Sequence, residues 1–540
     1  MSNQELANQA YNRLIWAHGV AALVTVGYTL ALGLAIALKF HWPDLMSESS
    51  WVTWGRLRYA HTQGIFFGWL GNAFLAFLYY ATPRLARRPP TGLRLGWMLF
   101  FVWNFLLVLP GWVLVQAGVS QPLEWAEFPL VTDAVAIFAF LLIAVQFVRP
   151  FFSPRIASLY VSGWYILGGL VFTLLAYPIG NFVPEIETGA KGATFSGLWI
   201  HDAVGLFVTP LALSIAYLVI PTTTGKPIFS HFLSMLGFWM LFMIYPLNGT
   251  HHYVFSSIPM EAQIGAIVAS VYLGANVILV VSNLLLSLRG CAAIVVTSVP
   301  LRFVWLGVIS YLVVSLQGAM QALMPVNRFV HFTDWVIGHA HLAMIGFASF
   351  VAIGGMLHVW ERVPGFRYQT RFANAAFWML VLGLLLMFLD LTIAGLVQGQ
   401  LWESSAPFIE SVKASSPFWL IRSISGVILI AGFTLVAAAM LTGPLGEPVK
   451  VSEETTQGSQ EEEPHGPAWL RGAYVITAFA GVGMFGVSFL VLGVLPNVAL
   501  EKEIQQTKPG FVAPLTASEL RGREIYAREG CINCHSQLVR

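Results

Sequence analysis

HFTDWVIGHAHLAMIGF, residues 331–347, decides how this chain is read. From Trp335 the sequence stays apolar to Trp360, long enough for one helical crossing of a bilayer. Yet it carries His339 and His341, and imidazole in hydrocarbon is costly without a partner. At about 100° per residue, two positions two apart point to nearly opposite faces of a helix. The two histidines therefore cannot bind one metal from one side, but they suit two neighbouring cofactors.

Outward from this stretch the same composition continues. Apolar runs fall at about 14–39, 60–82, 95–117, 129–148, 158–183, 197–221, 231–250, 262–288, 300–323, 335–360, 373–399, 418–442 and 470–496. Of 540 residues 57% are apolar and 10% charged, against about 25% charged in soluble domains. A soluble enzyme and a disordered tail are excluded, and three cysteines cannot build a disulfide scaffold. A net charge of +2 gives no reason to expect nucleic acid. The expected fold class is an all-α integral membrane protein. Residues 1–12 are polar and the first apolar run is long enough to span, so no cleavable signal is expected. Placing the N-terminus inside puts Arg84, Arg87, Arg88 and Arg94 in one cytoplasmic loop, and most other basic loop residues also fall inside. The tail beyond Leu500 then lies outside. Residues 447–469 are acidic and poor in apolar side chains, and read as a solvated linker. It divides twelve spans (1–446) from an anchor helix (470–497) and a tail (498–540), as if two polypeptides were joined end to end.

That tail contains Cys531-Ile532-Asn533-Cys534-His535, the C-x-x-C-H pattern of covalent c-type haem. Two thiols would add to the haem and His535 would bind its iron. Its expected outer location agrees with where such haem is assembled. The chain stops at Arg540, five residues later, too soon for a folded haem domain, so a longer chain is expected. Other spans hold further histidines. His251 and His252 are adjacent after YPLNGT, where a helix ends, and could embrace one small ion. His61 follows GRLRY, and His201 opens GLWIHDAVGLF. Any one alone is better read as a buried, satisfied histidine. Six in spans, in two close pairs, point to neutral imidazole ligands for iron or copper.

GRLRYAHTQG, WIHDAVGLFVTP, YPLNGTHH and the opening stretch together resemble the haem-copper oxidase superfamily, and most closely the cbb3-type cytochrome c oxidase catalytic subunit. The twelve-span layout of residues 1–442 carries the likeness. The last span and GREIYAREGCINCHSQLVR resemble the start of that enzyme's membrane-anchored mono-haem cytochrome c subunit. The resemblance implies a twelve-helix haem-copper oxidase bundle, one further transmembrane helix, and the beginning of a periplasmic cytochrome c domain. It implies that His61 and His341 ligate low-spin haem b, that His339 ligates the high-spin haem b, and that His201, His251 and His252 hold copper. Tyr245 would be the tyrosine joined to His201 that supplies an electron and a proton during oxygen cleavage. Other oxidases carry it four residues after the first copper ligand, here Gly205. Arg58, with His331 and Asp334, would face haem propionates, and Arg56 is Arg58's weaker neighbour. Glu124 and Glu127 resemble acids associated with calcium, although a solvated loop fits them too. Asn283, Ser287 and Tyr311 would line a proton path; interhelical hydrogen bonds of about 0.6 kcal/mol are the plainer reading. Gln317 stands where the family usually has glutamate, removing an anion that would make the proximal imidazole more basic.

The implied activity is that of a bacterial inner-membrane terminal oxidase, reducing dioxygen to water with electrons from cytochrome c and translocating protons. Further oxidase subunits, a cytochrome c subunit among them, and membrane lipid would be its partners. Nitric oxide reductase on the same scaffold is the first alternative, though it would want glutamates near the metal site. A non-enzymatic electron-transfer cytochrome would have no use for His251, His252 or Tyr245, and a transporter would not explain C-x-x-C-H.

Overall fold

The computed structural model describes residues 10–152, 159–187, 189–363, 365–444, 479–506 and 514–533. The linker 447–469, the start of the last span, and Cys534 and His535 lie outside these residues. Among the described residues there is no β-strand, and thirteen helices are long and apolar enough to cross a membrane. Several run past the apolar core. The second span is Trp54–Leu85, the sixth Ala190–Thr224 and the twelfth Phe408–Leu441. All three begin earlier than hydropathy alone suggests, because a helix continues through polar residues once its backbone bonds are formed.

Burial sorts the spans. The most apolar stretches of the second, sixth and tenth (Asp334–Trp360) spans are 100%, 94% and 94% buried inside the protein. The other ten are only 33–61% buried, leaving one face for lipid. The three central spans are those carrying His61, His201, His339 and His341. Outer spans pack through small residues. In the eleventh (Thr370–Glu403) and twelfth spans, a Cβ on Gly383 would come within 2.9 Å of Leu429, and one on Gly432 within 2.7 Å of Leu380.

Each central span changes its winding next to its histidine. π-Helical turns occupy Gly64–Gly71 after His61, Ala203–Val208 after His201, and Leu342–Ser349 after His341. A π-turn inserts a residue and rotates the helix beyond it, a distortion that concentrates at functional sites. Apolar periodicity gives no sign of it.

Candidate metal and haem centre

His61 and His341 face each other across the junction of the second and tenth spans. Their rings lie 6.4 Å apart, centre to centre, and only 25° from parallel. His61 Nδ1 donates to the Thr29 carbonyl at 2.8 Å, and His341 Nδ1 donates to Ile337 at 2.8 Å. Fixing both Nδ1 protons makes Nε2 the free ligand atom on each ring. Two imidazoles on one iron, with bonds of about 2 Å and ring centres about 1.1 Å beyond, would stand about 6 Å apart. The pair fits a bis-histidine haem. Gly33 makes room for it, since a Cβ there would meet His61 Cε1 at 2.7 Å.

Two residues before His341, His339 turns the other way, as a rotation of about 200° requires. Its Nδ1 lies 3.2 Å from Gln317 Oε1, leaving Nε2 directed into a cavity of about 850 Å3. His201, His251 and His252 line the same cavity. One donor atom from each of these three lies within 4.8 Å of the other two, and this is the only such histidine, cysteine or carboxylate group among the described residues. His201 Nδ1 and His252 Nε2 are 3.2 Å apart. Two nitrogens bound at about 2.0 Å to one tetrahedral ion would be about 3.3 Å apart, so the donor set fits copper or zinc. His251 Nδ1 donates at 2.6 Å to Ser270, whose own hydroxyl donates to Ala266, and its Nε2 is left free. The Asn248 side-chain amide lies 3.1 Å from His201 Nε2, so His201 Nδ1 is the ring nitrogen that faces His252. The adjacent pair sits on a 3-10 turn, Gly249–Tyr253, with rings 4.6 Å apart, rather than on the end of an α-helix.

Tyr245 stacks on His201, with ring centres 4.6 Å apart and planes 25° from parallel. It occupies the space in front of Gly205, where a Cβ would fall 1.5 Å from its Cε1. The seventh span (His231–Tyr253) thus delivers a phenol to the place a side chain at 205 would otherwise take.

The other expected site residues separate into groups. Arg58 lines the cavity and pairs with Glu127 at 3.1 Å. Gln63 donates to the second oxygen of Glu127. With both oxygens engaged and the side chain fully buried, Glu127 is not gathered with exposed Glu124 into a common donor set. Burial pushes the Glu127 carboxyl up to about 7, against the opposing pull of Arg58. His331 and Asp334 both line the cavity. Burial, and then neighbouring His252, hold His331 down at about 4, so it is a neutral imidazole. Its ring stacks on Phe332, whose φ of 62° is a strained backbone for a bulky residue. Asp334 is already engaged, accepting from Trp419 at 3.0 Å and Gln398 at 2.7 Å, with Arg422 at 3.7 Å. Asn283 and Ser287 bind the loop before the seventh span: Ser230 N donates to Asn283 Oδ1 and Phe229 N to Ser287 Oγ. Tyr311 lies apart from them, lining the cavity and stacked on Phe347 at 4.4 Å.

Sequence reasoning missed two features. Arg422, in the twelfth span, lines the cavity, and its charge within SPFWLIRSISG was the available signal. Arg56 holds the C-terminal segment. It pairs with Glu529 at 2.7 Å, while Thr53 donates to the same carboxylate and Tyr59 to the Ala527 carbonyl. Gly55 permits the approach, since a Cβ there would lie 1.8 Å from the Glu529 carbonyl oxygen. Cys531 therefore sits two residues beyond an anchor on the His61-bearing span; Cys534 and His535 lie outside the described residues.

Comparison with known proteins gives two family matches. Residues 13–428 match the profile of cytochrome c and quinol oxidase polypeptide I, and residues 473–540 match the cytochrome c oxidase mono-heme subunit/FixO profile. The cbb3-type cytochrome c oxidase subunit CcoN1 of Stutzerimonas stutzeri is 28% identical over 425 residues, covering 76% of this chain and 90% of that protein. A bacteroid cytochrome c oxidase subunit 1 homolog of Bradyrhizobium diazoefficiens is 29% identical over 446 residues, covering 79% and 80%. Among solved structures, a heme-copper terminal oxidase dimer determined by cryo-EM overlays with a TM-score of 0.66 at 13% identity, covering 99% of this chain and 100% of that one, a likeness of fold.

Proposed function

The chain belongs to the family of cytochrome c and quinol oxidase polypeptide I, and from that premise we propose that it is the dioxygen-reducing, proton-translocating subunit of a cbb3-type oxidase, joined to the start of its mono-haem cytochrome c subunit. The reading assigns residues 1–446 to the oxidase body, 447–469 to a linker, 470–497 to an anchor helix and 498–540 to the cytochrome c start. It sets the N-terminus in the bacterial cytoplasm and the tail on the periplasmic side. One observation carries it: three histidines at metal-ligand spacing face His339 in one cavity, with Tyr245 stacked on the first of them.

His61 and His341 would hold the low-spin haem b, His339 the high-spin haem b, and His201, His251 and His252 the copper. Cys531, Cys534 and His535 would hold haem c. When bound, these groups would relay electrons from the donor and form the site at which dioxygen is reduced. The protein's own part is positional and protonic. Thr29 and Ile337 fix the tautomers of the low-spin ligands, and Ser270 fixes that of His251. Tyr245, its ring stacked on His201, would supply a phenolic proton beside these histidines. Tyr311, with Asn283 and Ser287 towards the inner side, supports a route that replenishes it. Arg58 and His331 offer donors to propionates, and Asp334 orients Arg422. Calcium at Glu124 would require Glu127 to leave Arg58 or Gln63. A cytochrome c is the proposed donor, and further oxidase subunits the proposed partners.

Metal analysis, carbon-monoxide difference spectra and parallel oxygen and nitric oxide consumption on the purified protein test this. Copper and haem b with turnover of dioxygen are expected; absence of copper, or turnover of nitric oxide alone, overturns the reading. His251→Ala should abolish copper and oxygen reduction while leaving the low-spin haem spectrum, and loss of both haems would contradict the ligand assignment.

A further inference from the structure

Asp390 lies in the eleventh span, is 6% exposed, and has no hydrogen-bond partner on either carboxylate oxygen. A lone ionised carboxylate in that position is too costly to persist unless it is neutralised or faces a cation. The charged groups facing it are Asp334 from the tenth span and Arg422 from the twelfth. Arg328, near the outer end, is paired instead with Glu403. Arg422 is 3.7 Å from Asp334, whose other oxygen takes hydrogen bonds from Trp419 and Gln398. Asp334 is thus fully supplied with donors and Asp390 has none. Arg422 pairs with Asp334 and not with Asp390, so the Asp390 carboxyl has no cation of its own and must be able to carry a proton.

The site borders the redox centre on two sides. The turn after Asp390 packs on the tenth span beside His339: a Cβ on Gly338 would meet Leu391 Cβ at 3.2 Å and Thr392 N at 3.4 Å. Arg422 lines the central cavity, and one turn further along a Cβ on Gly426 would lie 3.7 Å from Leu34, the neighbour of Gly33, whose own Cβ would meet His61 at 2.7 Å. The charge balance of the triad therefore includes the charge held between His61 and His341.

We propose that Asp390, with Asp334 and Arg422, forms a proton-binding site whose occupancy follows the charge of the His61–His341 centre. A haem held by His61 and His341 would lose one positive charge facing the triad on reduction, and the Asp390 carboxylate would then take up one proton from solvent to become the neutral acid. When the electron passes on, the carboxylic O–H bond breaks and the proton leaves. The coupling rests on the oxidase reading, and would give that enzyme a proton-holding group on its outer half, away from Tyr245.

Redox-difference infrared spectroscopy of the holoenzyme tests it directly. A carboxylic C=O band that appears on reduction, shifts in D2O and is lost in Asp390→Asn is expected. Its persistence in Asp390→Asn, or its absence from the wild type, overturns the assignment. Vesicle acidification separates this from the wider reading. If the wild type translocates protons and Asp390→Asn, with unchanged haem spectra, translocates as many per electron, the site is refuted while the oxidase reading stands. If the wild type translocates none yet shows the Asp390 band, the pumping reading falls and the proton-binding site remains.

Discussion

Gly205→Ala is the sharpest perturbation the metal site offers. A Cβ at 205 would fall 1.5 Å from Cε1, 2.1 Å from Cζ and 2.2 Å from Cδ1 of Tyr245. Carbon atoms rest about 3.5 Å apart or more, so the ring must retreat by roughly 3.5 − 1.5 = 2 Å, or the helix must move. Tyr245 has little room to do so quietly, because it stacks at 4.6 Å on His201, which is itself 3.2 Å from His252. Overpacking of this kind costs about 1–3 kcal/mol of stability. Displacing a reacting group by even about 1 Å costs on the order of 100-fold in rate. The variant should assemble with normal low-spin haem, keep little oxygen consumption, and show an altered carbon-monoxide spectrum. Gly265→Ala, in the eighth span (Met260–Ser287), is the control, because a Cβ there meets nothing within 4 Å. Wild-type turnover with full copper in Gly205→Ala would refute the contact between Tyr245 and the metal ligands.

Two other outcomes follow from the same geometry. Gln317→Glu would put a carboxylate on the Nδ1 proton of His339, now 3.2 Å from a neutral amide oxygen. It should lower the high-spin haem potential by about 60 mV, the one-electron equivalent of a tenfold change, in a spectroelectrochemical titration; an unchanged or raised potential would contradict the contact. Glu127, pushed up to about 7 by burial, binds more protons folded than unfolded between about pH 4.5 and 7. Its contribution is therefore present at low pH and lost as pH rises through 7, at up to about 1.4 kcal/mol per unit. Thermal inactivation of the wild type should quicken across that window, and Glu127→Gln should flatten the trend.

The spans and the six clustered histidines were legible because each breaks a strong background. Apolar runs of membrane length have few other readings, and imidazole within them is rare enough to stand out. The opposed directions of His339 and His341 needed only the helical repeat. What stayed hidden depends on tertiary packing. The π-turns after His61, His201 and His341 leave no periodic trace, since they are set by what the rotated helix must face. Arg56 and Glu529 are separated by 473 positions, and no spacing rule joins them. Arg58 stood out through its likeness to a propionate-pairing arginine, while its bond to Glu127, 69 positions away, had no sequence signal.

Asp390 and Arg422 occupy an intermediate case, and a telling one. Both are charges inside apolar spans, the same anomaly that exposed the histidines, yet neither belongs to a close pair in sequence. Their meaning appears only when the eleventh and twelfth spans are packed against the tenth. Those two spans turn one face to lipid, being only 44% and 39% buried over their most apolar stretches, and still direct their charged side chains inward. A purely structural outer helix gains nothing by carrying such a residue, because an apolar side chain would pack at lower cost. That an unpartnered carboxyl persists beside an arginine already serving Asp334 is best explained by a proton that comes and goes. The three central spans and the seventh thus bring the six clustered histidines together, and the eleventh and twelfth place Asp390 and Arg422 beside them.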